Sequence, residues 1–408
     1  MDSEIRVENP QGGKSKKGSS KKEGAELMEF TIGKRDFVRG LARASSIAER
    51  KSSMPILSNV LLVAEGHDRL RLCATDLGVS VTATFPAEIV FGGSITLAAR
   101  TLFDIARSLP EEAVHVTVSS TMSAEIRCAK SRFRMVGMPG NDFPTLPDAS
   151  KVELATVPAA TVRKMIEQIY PSMSQDETRP HLAGALFEGQ GDVLRMVATD
   201  GHRLTKVERK VEGGSFRFSM LVPQKGVSEL KKLVEDGDGS AGIGADAGNA
   251  FFGRRSGSGG PYRSDEGQGD TAMLAVKLTE AAFPPYEQVI PTLHERVVIA
   301  PRSTLIEALR RVSLVSQERS LGVKLVVEAG KVTVCTENPA IGDASEEVDV
   351  DYAGSPVSLG FNARYIVDAL AAVDGDEVRL ELSKELDPGV IRNIGGDDFV
   401  AVVMPMRI

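Results

Sequence analysis

Two hydrophobic periods alternate along the chain from Met28 onward. Six segments repeat apolar residues three and four apart, which puts those residues on one face of a helix. They span 34–51, 98–109, 158–174, 223–236, 300–319 and 362–374. Three of the stripes read Phe37, Leu41, Ala44; Val162, Met165, Ile166, Ile169; and Leu305, Leu309, Val312. Between the helices lie alternating stretches such as VHVTVSS, VLRMVATD, VKLVVEAGKVTVCTE and VRLELS. Period two with many Val residues predicts half-buried strands.

These elements recur. A strand running into Thr-Asp or Thr-Glu appears at CATDLGVSV, VATDGHRLTKVE and CTENPAIGDASEEVDV. The threonines Thr75, Thr199 and Thr336 lie 124 and 137 residues apart. A helix follows each strand, and aligning Arg100, Lys225 and Arg364 gives gaps of 125 and 139. Two markers that drift together predict a threefold internal repeat. The second unit carries the excess length, at the Gly-rich stretch 253–270, which reads as a long mobile hairpin loop. Each unit holds two helices and about eight short strands, an α+β arrangement with each helix burying one face on antiparallel sheet. The expected domains are 28–150, 151–293 and 294–408. Residues 1–27 are rich in Lys, Ser, Gly and Glu without periodicity and read as a disordered tail. They lack the apolar core of a signal peptide.

Composition removes several function classes. No apolar run approaches the ~18 residues that span a bilayer. Cys73, Cys128 and Cys335 are far apart with no CxxC pair, and there are five histidines. A disulfide scaffold and a metal centre are therefore not expected, no cofactor is expected, and a reducing cytoplasm fits. HxxxH, HExxH, GxSxG and GxxxxGK[ST] patterns are absent. Net charge is −7, but the six predicted helices sum to +7 and leave −14 on the rest. Basic helices on an acidic body suggest one positive face for a polyanion.

Five segments then occur in order: MEFTIGKRDFVRGL, MPILSNVLL at 54–62, SRFRMVGMPGNDFPTLP, ATDGHRLTKVE and the terminal VVMPMRI. With them the chain from 28 to 408 resembles the bacterial DNA polymerase III β subunit, the replication sliding clamp. The resemblance implies three copies of one α/β domain per chain. Two chains would join head to tail as a homodimer, a closed ring with helices lining the hole. It implies a processivity factor without catalysis. Such a factor encircles duplex DNA without sequence preference. It tethers the replicative polymerase, the clamp loader and repair proteins through short apolar peptides.

By the same resemblance, Arg50, Lys51, Arg100, Arg107, Gln175 and Lys225 would face DNA. A peptide pocket between the second and third domains would draw on Arg179, Leu182, Thr199, Gly201, His202, Arg203, Leu204, Pro284 and Val289. Its third-domain side would be Asn362, Tyr365, Val403, Met404, Pro405, Met406 and Arg407. Met, Leu, Val and Pro suit an adaptable apolar groove, and rim arginines suit a peptide carboxylate or carbonyl. Phe133 and Met135 would meet Leu314 and Val315 across the ring seam. Three features depart from the family. Gln288 stands where a basic residue is common, Pro180-His181 follows Arg179, and the 253–270 insertion is long. The alternatives are a small-molecule α/β enzyme using Asp200 and His202 for acid–base chemistry, or a specialised duplicate clamp.

Overall fold

The computed structural model describes residues 26–49, 53–235, 237–255, 271–317 and 321–408. Its helices are α1 (Lys34–Ile47), α2 (Ala99–Ser108), α3 (Ala159–Ile169), α4 (Gln224–Leu233), α5 (Arg302–Val312) and α6 (Ala363–Ala372). Each is shorter than its hydrophobic pattern predicts. In α3 the reason is Pro171, whose missing N–H lets Tyr170–Ser172 continue only as one 3-10 turn. In α1 the helix stops at Ile47 because Ala48 turns to ψ 127°.

Among the described residues strand pairing is antiparallel throughout, in four sheets. A five-stranded sheet in the first unit ends at Ser131–Val136. A nine-stranded sheet crosses the first junction, where Val79–Pro86 pairs with Thr271–Lys277. An eight-stranded sheet crosses the second, where Arg203–Lys210 pairs with Phe399–Val403. A four-stranded sheet in the third unit ends at Gly342–Asp349. The three units are therefore joined by backbone ladders as well as by the chain.

The first strand, Glu26–Gly33, begins before the expected end of the tail at residue 27. Its ladder to Ala113–Ser119 runs on past the buried Met28, through an irregularity, to Glu26. Residues 1–25 lie outside the described residues. The expected loop 253–270 also starts too early. Gly253, Arg254 and Arg255 are in the strand Asn249–Arg255, paired with Met273, Ala272 and Thr271. Residues 256–270 lie outside the described residues.

All six helices pack on one side of the sheets. Within units α1 meets α2, α3 meets α4 and α5 meets α6; across junctions α1 meets α4 and α3 meets α6. The result is one helical layer, ordered α2, α1, α4, α3, α6, α5. Side chains bind the junctions. Ser46 donates to Glu229 at 2.7 Å between α1 and α4, and Gln168 donates to the Ala372 carbonyl at 2.8 Å between α3 and α6. One continuous core of buried Val, Leu, Ile, Phe and Ala runs beneath this layer. A second, smaller core lies on the other face of the eight-stranded sheet.

Candidate partner pocket and helical face

The strand Val193–Thr199 turns into Arg203–Lys210 through Thr199-Asp200-Gly201-His202. The turn is closed by its own side chains. The Thr199 hydroxyl donates to the Arg203 carbonyl at 2.6 Å and accepts from Gly201 N at 3.1 Å. Asp200 Oδ1 accepts from His202 N at 2.9 Å and Arg203 N at 3.0 Å. Gly201 takes φ +91°, a region where a Cβ is strained. The first unit builds the same turn at Thr75-Asp76, with Leu77 at φ +71° in place of the glycine.

Asp200 is thereby used up. Its second oxygen accepts from Arg203 Nε at 3.1 Å, so the carboxylate serves the turn and a neighbouring cation. His202 is exposed, and its carbonyl accepts from Met404 N at 2.9 Å. That bond docks the chain terminus onto the turn. The pair is a structural corner, and the acid–base reading of Asp200 and His202 is not favoured.

Around the corner the expected pocket residues divide. Gly201, His202, Met404 and Val289 are exposed, and Pro284, Pro405 and Met406 are half-buried. Arg179 and Leu182 lie across from Gly201, with Arg179 donating to the Asp200 carbonyl at 3.4 Å and to Asp176 at 2.8 Å. Leu204 and Thr199 are buried supports. Asn362 caps α6, its side chain accepting from Arg364 N and Tyr365 N. Met406 N donates to the Gly360 carbonyl at 2.9 Å, and Gly360 has no room for a Cβ under the terminal segment. Arg407 is exposed beside a cavity of about 980 Å³ that is also lined by Lys324, Glu337 and Ile408.

Arg203 and Val403 are largely enclosed members of the expected pocket. Both point to the helix side of the sheet, where they line a small cavity with Tyr365. Val403 is 1% exposed in the main core. The Arg203 guanidinium lies over the Tyr365 ring, 4.3 Å from its centre, donates to Asp368 at 2.6 Å, and reaches the Pro171 carbonyl. It is a strut between the second and third units. Its partners Asp368 and Pro171 carry no motif in the sequence and were missed. Tyr286 was missed too, although a lone aromatic between Pro284 and Val289 in FPPYEQVIP was a usable signal.

On the helical face, Arg100 and Arg107 are exposed on α2, and Arg107 lies 3.6 Å from Asp104. Gln175 is exposed after α3. Lys225 on α4 is paired with Asp76 of the first unit, so its charge is shared. Arg50 and Lys51 lie outside the described residues. Among the described residues no cluster of three or more His, Cys, Asp or Glu could hold a metal ion, and no helix is long and apolar enough to cross a membrane.

The comparisons with known proteins match this architecture unit by unit. The N-terminal, central and C-terminal domains of the DNA polymerase III beta subunit match residues 28–147, 156–252 and 287–407. The chain belongs to the DNA polymerase III beta subunit family. The beta sliding clamp of Pseudomonas putida is 34% identical over 387 residues, covering 93% of this chain and all of that one. The Escherichia coli K12 beta sliding clamp is 33% identical over 394 residues with the same coverage. Among solved structures, the Pseudomonas aeruginosa DnaN sliding clamp bound to griselimycin superposes with TM-score 0.84 at 32% identity, over 93% of this chain and 100% of that one. The protein is thus a sliding clamp, a non-catalytic processivity factor of DNA polymerase III. Its fold is the three-domain clamp fold.

Proposed function

We propose that two copies of the chain close head to tail into a ring around duplex DNA. The observation that carries this reading is the pair of edge strands at the two ends of the molecule. Ser131–Val136 ends the five-stranded sheet and Gly342–Asp349 ends the four-stranded one. Joined, they make nine strands, the size of the sheet at the first junction. An unpaired edge presents N–H and C=O groups that seek a partner strand. The edges also complement each other in charge. Arg132 and Arg134 are exposed on the first, while Asp343, Glu347 and Asp349 are exposed on the second. Arg132, with Arg127, holds the neighbouring Glu125 carboxyl down to about 2, yet the arginine cluster remains in excess. Phe133 and Met135 are half-buried on the first edge, and Leu314 is 80% exposed beside Val315.

In this ring the helical layer lines the hole, with Arg50, Lys51, Arg100, Arg107, Gln175 and Lys225 toward DNA. Backbone-only electrostatics suit a clamp that must slide, because phosphate contacts carry no sequence information. The groove at the second junction takes short apolar peptides of the replicative polymerase, the clamp loader and repair proteins. The domain limits 28–150, 151–293 and 294–408, and a cytoplasmic location, belong to the same proposal.

The ring is tested by loading on nicked circular DNA. The clamp should be retained on circles and lost when they are linearised; equal retention on both would overturn topological binding. The helical face is tested by salt. Reversal to Glu at Arg50, Lys51, Arg100 and Arg107 should flatten the log–log salt dependence of binding by about 0.9 for each phosphate no longer neutralised. The dimer should persist, and an unchanged slope would turn the helices away from DNA. At the pocket, Gln288 is exposed at the end of the turn Tyr286–Gln288. Gln288→Arg should tighten an acidic partner peptide by roughly 0.5–1 kcal/mol, the worth of a rim contact. Calorimetric titration showing no change would put position 288 beyond the peptide's reach.

A further inference from the structure

The connector after Thr271–Lys277 crosses the face of the eight-stranded sheet that carries no helices. Along that face Leu186, Val197, Leu204, Val390, Val400 and Val402 form the small second core. The connector seals it with one buried ring, Tyr286, which is 3% exposed and packs edge-on against Phe283 at 6.3 Å. Beside the core, a polar row crosses three strands, where Glu188 pairs with Arg195 and Arg195 with Glu208. Arg195 reaches Glu188 at 3.2 Å and Glu208 at 3.3 Å.

Tyr286 plugs into this row by its hydroxyl. It donates to Glu188 Oε2 at 2.8 Å and accepts from Arg195 at 2.9 Å. Burial, and then the Glu188 carboxylate, hold the phenol well above its usual range, so it stays a donor. Tyr286 itself opens the single 3-10 turn Tyr286–Gln288, with Val289 N bonded to the Tyr286 carbonyl at 3.1 Å. Pro284 lies two residues before the ring and Val289 three after it. Both are connector residues whose places depend on where the ring is pinned.

We infer that Tyr286, held by Glu188 and Arg195, is the positioning residue of the partner pocket: it fixes the connector so that Pro284 and Val289 stand as a preformed wall of the groove. The inference rests on the peptide-pocket reading of that groove. A wall held in place before the peptide arrives spares the ordering cost of binding, so its loss appears as weaker affinity while the contacting side chains remain. Glu188 and Arg195 touch no peptide and act only through Tyr286.

The test is calorimetric titration of a synthetic peptide carrying the C-terminal residues of the host's replicative polymerase. It is run on wild type, Tyr286→Phe, Glu188→Ala, Glu188→Gln and a chain lacking 404–408. Tyr286→Phe keeps the ring in the core and removes only the hydroxyl. It should bind about tenfold more weakly, in line with removal of a hydrogen bond to a charged group. Amides 284–289 should exchange faster in the free protein. Glu188→Ala should match that loss, and Glu188→Gln, whose carbonyl still accepts from the phenol, should recover most of it. Wild-type affinity in Tyr286→Phe, with binding abolished in the truncated chain, would overturn the positioning role and leave the pocket standing. Normal binding by the truncated chain would overturn the pocket itself. Weaker binding in Tyr286→Phe with unchanged exchange at 284–289, or without rescue by Glu188→Gln, would also defeat the inference.

Discussion

A chain carrying Leu314→Asp is expected to sediment as a folded monomer. Leu314 follows α5 and is 80% exposed in the single chain, so an aspartate there stays in water and costs the fold almost nothing. In the proposed ring the same carboxylate is covered by apolar atoms of the partner's edge and has no cation assigned to it. Burying an unpaired charge costs on the order of 3–5 kcal/mol. A penalty of about 4 kcal/mol raises a dissociation constant by roughly a thousandfold. Phe133→Asp should act in the same direction, but Phe133 also packs on its own core, so that variant will lose thermal stability as well. Leu314→Asp is therefore the cleaner test. Its melting temperature should match that of wild-type monomer, and a dimer that survives at micromolar concentration would move the seam elsewhere.

Arg203→Ala is expected to uncouple the second and third units. The Arg203 side chain is 11% exposed and its three nitrogens are all engaged, with Asp200, Asp368 and the Pro171 carbonyl. Alanine leaves Asp368 with only the longer contact to Arg364 at 4.0 Å, leaves a carbonyl at the junction without this donor, and removes the cation from the Tyr365 ring. Removing one partner of a fully buried ion pair costs about 3–5 kcal/mol, and Asp368 at 27% exposure lowers the figure to roughly 2–4 kcal/mol. Calorimetric melting should show the third unit unfolding earlier, as a separate transition. Arg203→Lys should restore little, because a single ammonium cannot serve three acceptors and a ring at once. One unsplit transition at the wild-type temperature in Arg203→Ala would mean that the backbone ladder alone holds the junction.

Much of this clamp is written locally. The 3.6-residue stripes locate all six helices, and the alternating stretches locate strands, because burial of one face follows directly from side-chain spacing. Thr199-Asp200-Gly201 closes a turn with its own side chains, and Thr75-Asp76 repeats it, so the turn needs nothing beyond five residues. The third copy of the turn departs from this local rule. Thr336 stays within the strand Lys331–Asn338 and bonds the Gly322 carbonyl, and the turn falls two residues later, where Asn338 accepts from Ala340 N. A threonine's use depends on where its strand ends, and that is set by the neighbouring strand.

Sequence alone determined the threefold repeat, the α+β class, the basic bias of the helices and, through five ordered motifs, the family. Tertiary structure alone decided which side of a sheet each expected pocket residue takes. Adjacent residues in a strand point to opposite faces, so Arg203 and Val403 fell to the helix side while Leu204 and Val402 fell to the connector side. It also decided that Lys225 is paired with Asp76, 149 residues away, and that Tyr286 meets Glu188 across 98. The first pair joins two units and the second lies within one, and in both the partners are brought together by ladders between distant strands. No periodicity within a single segment records which distant carboxylate a cation will meet.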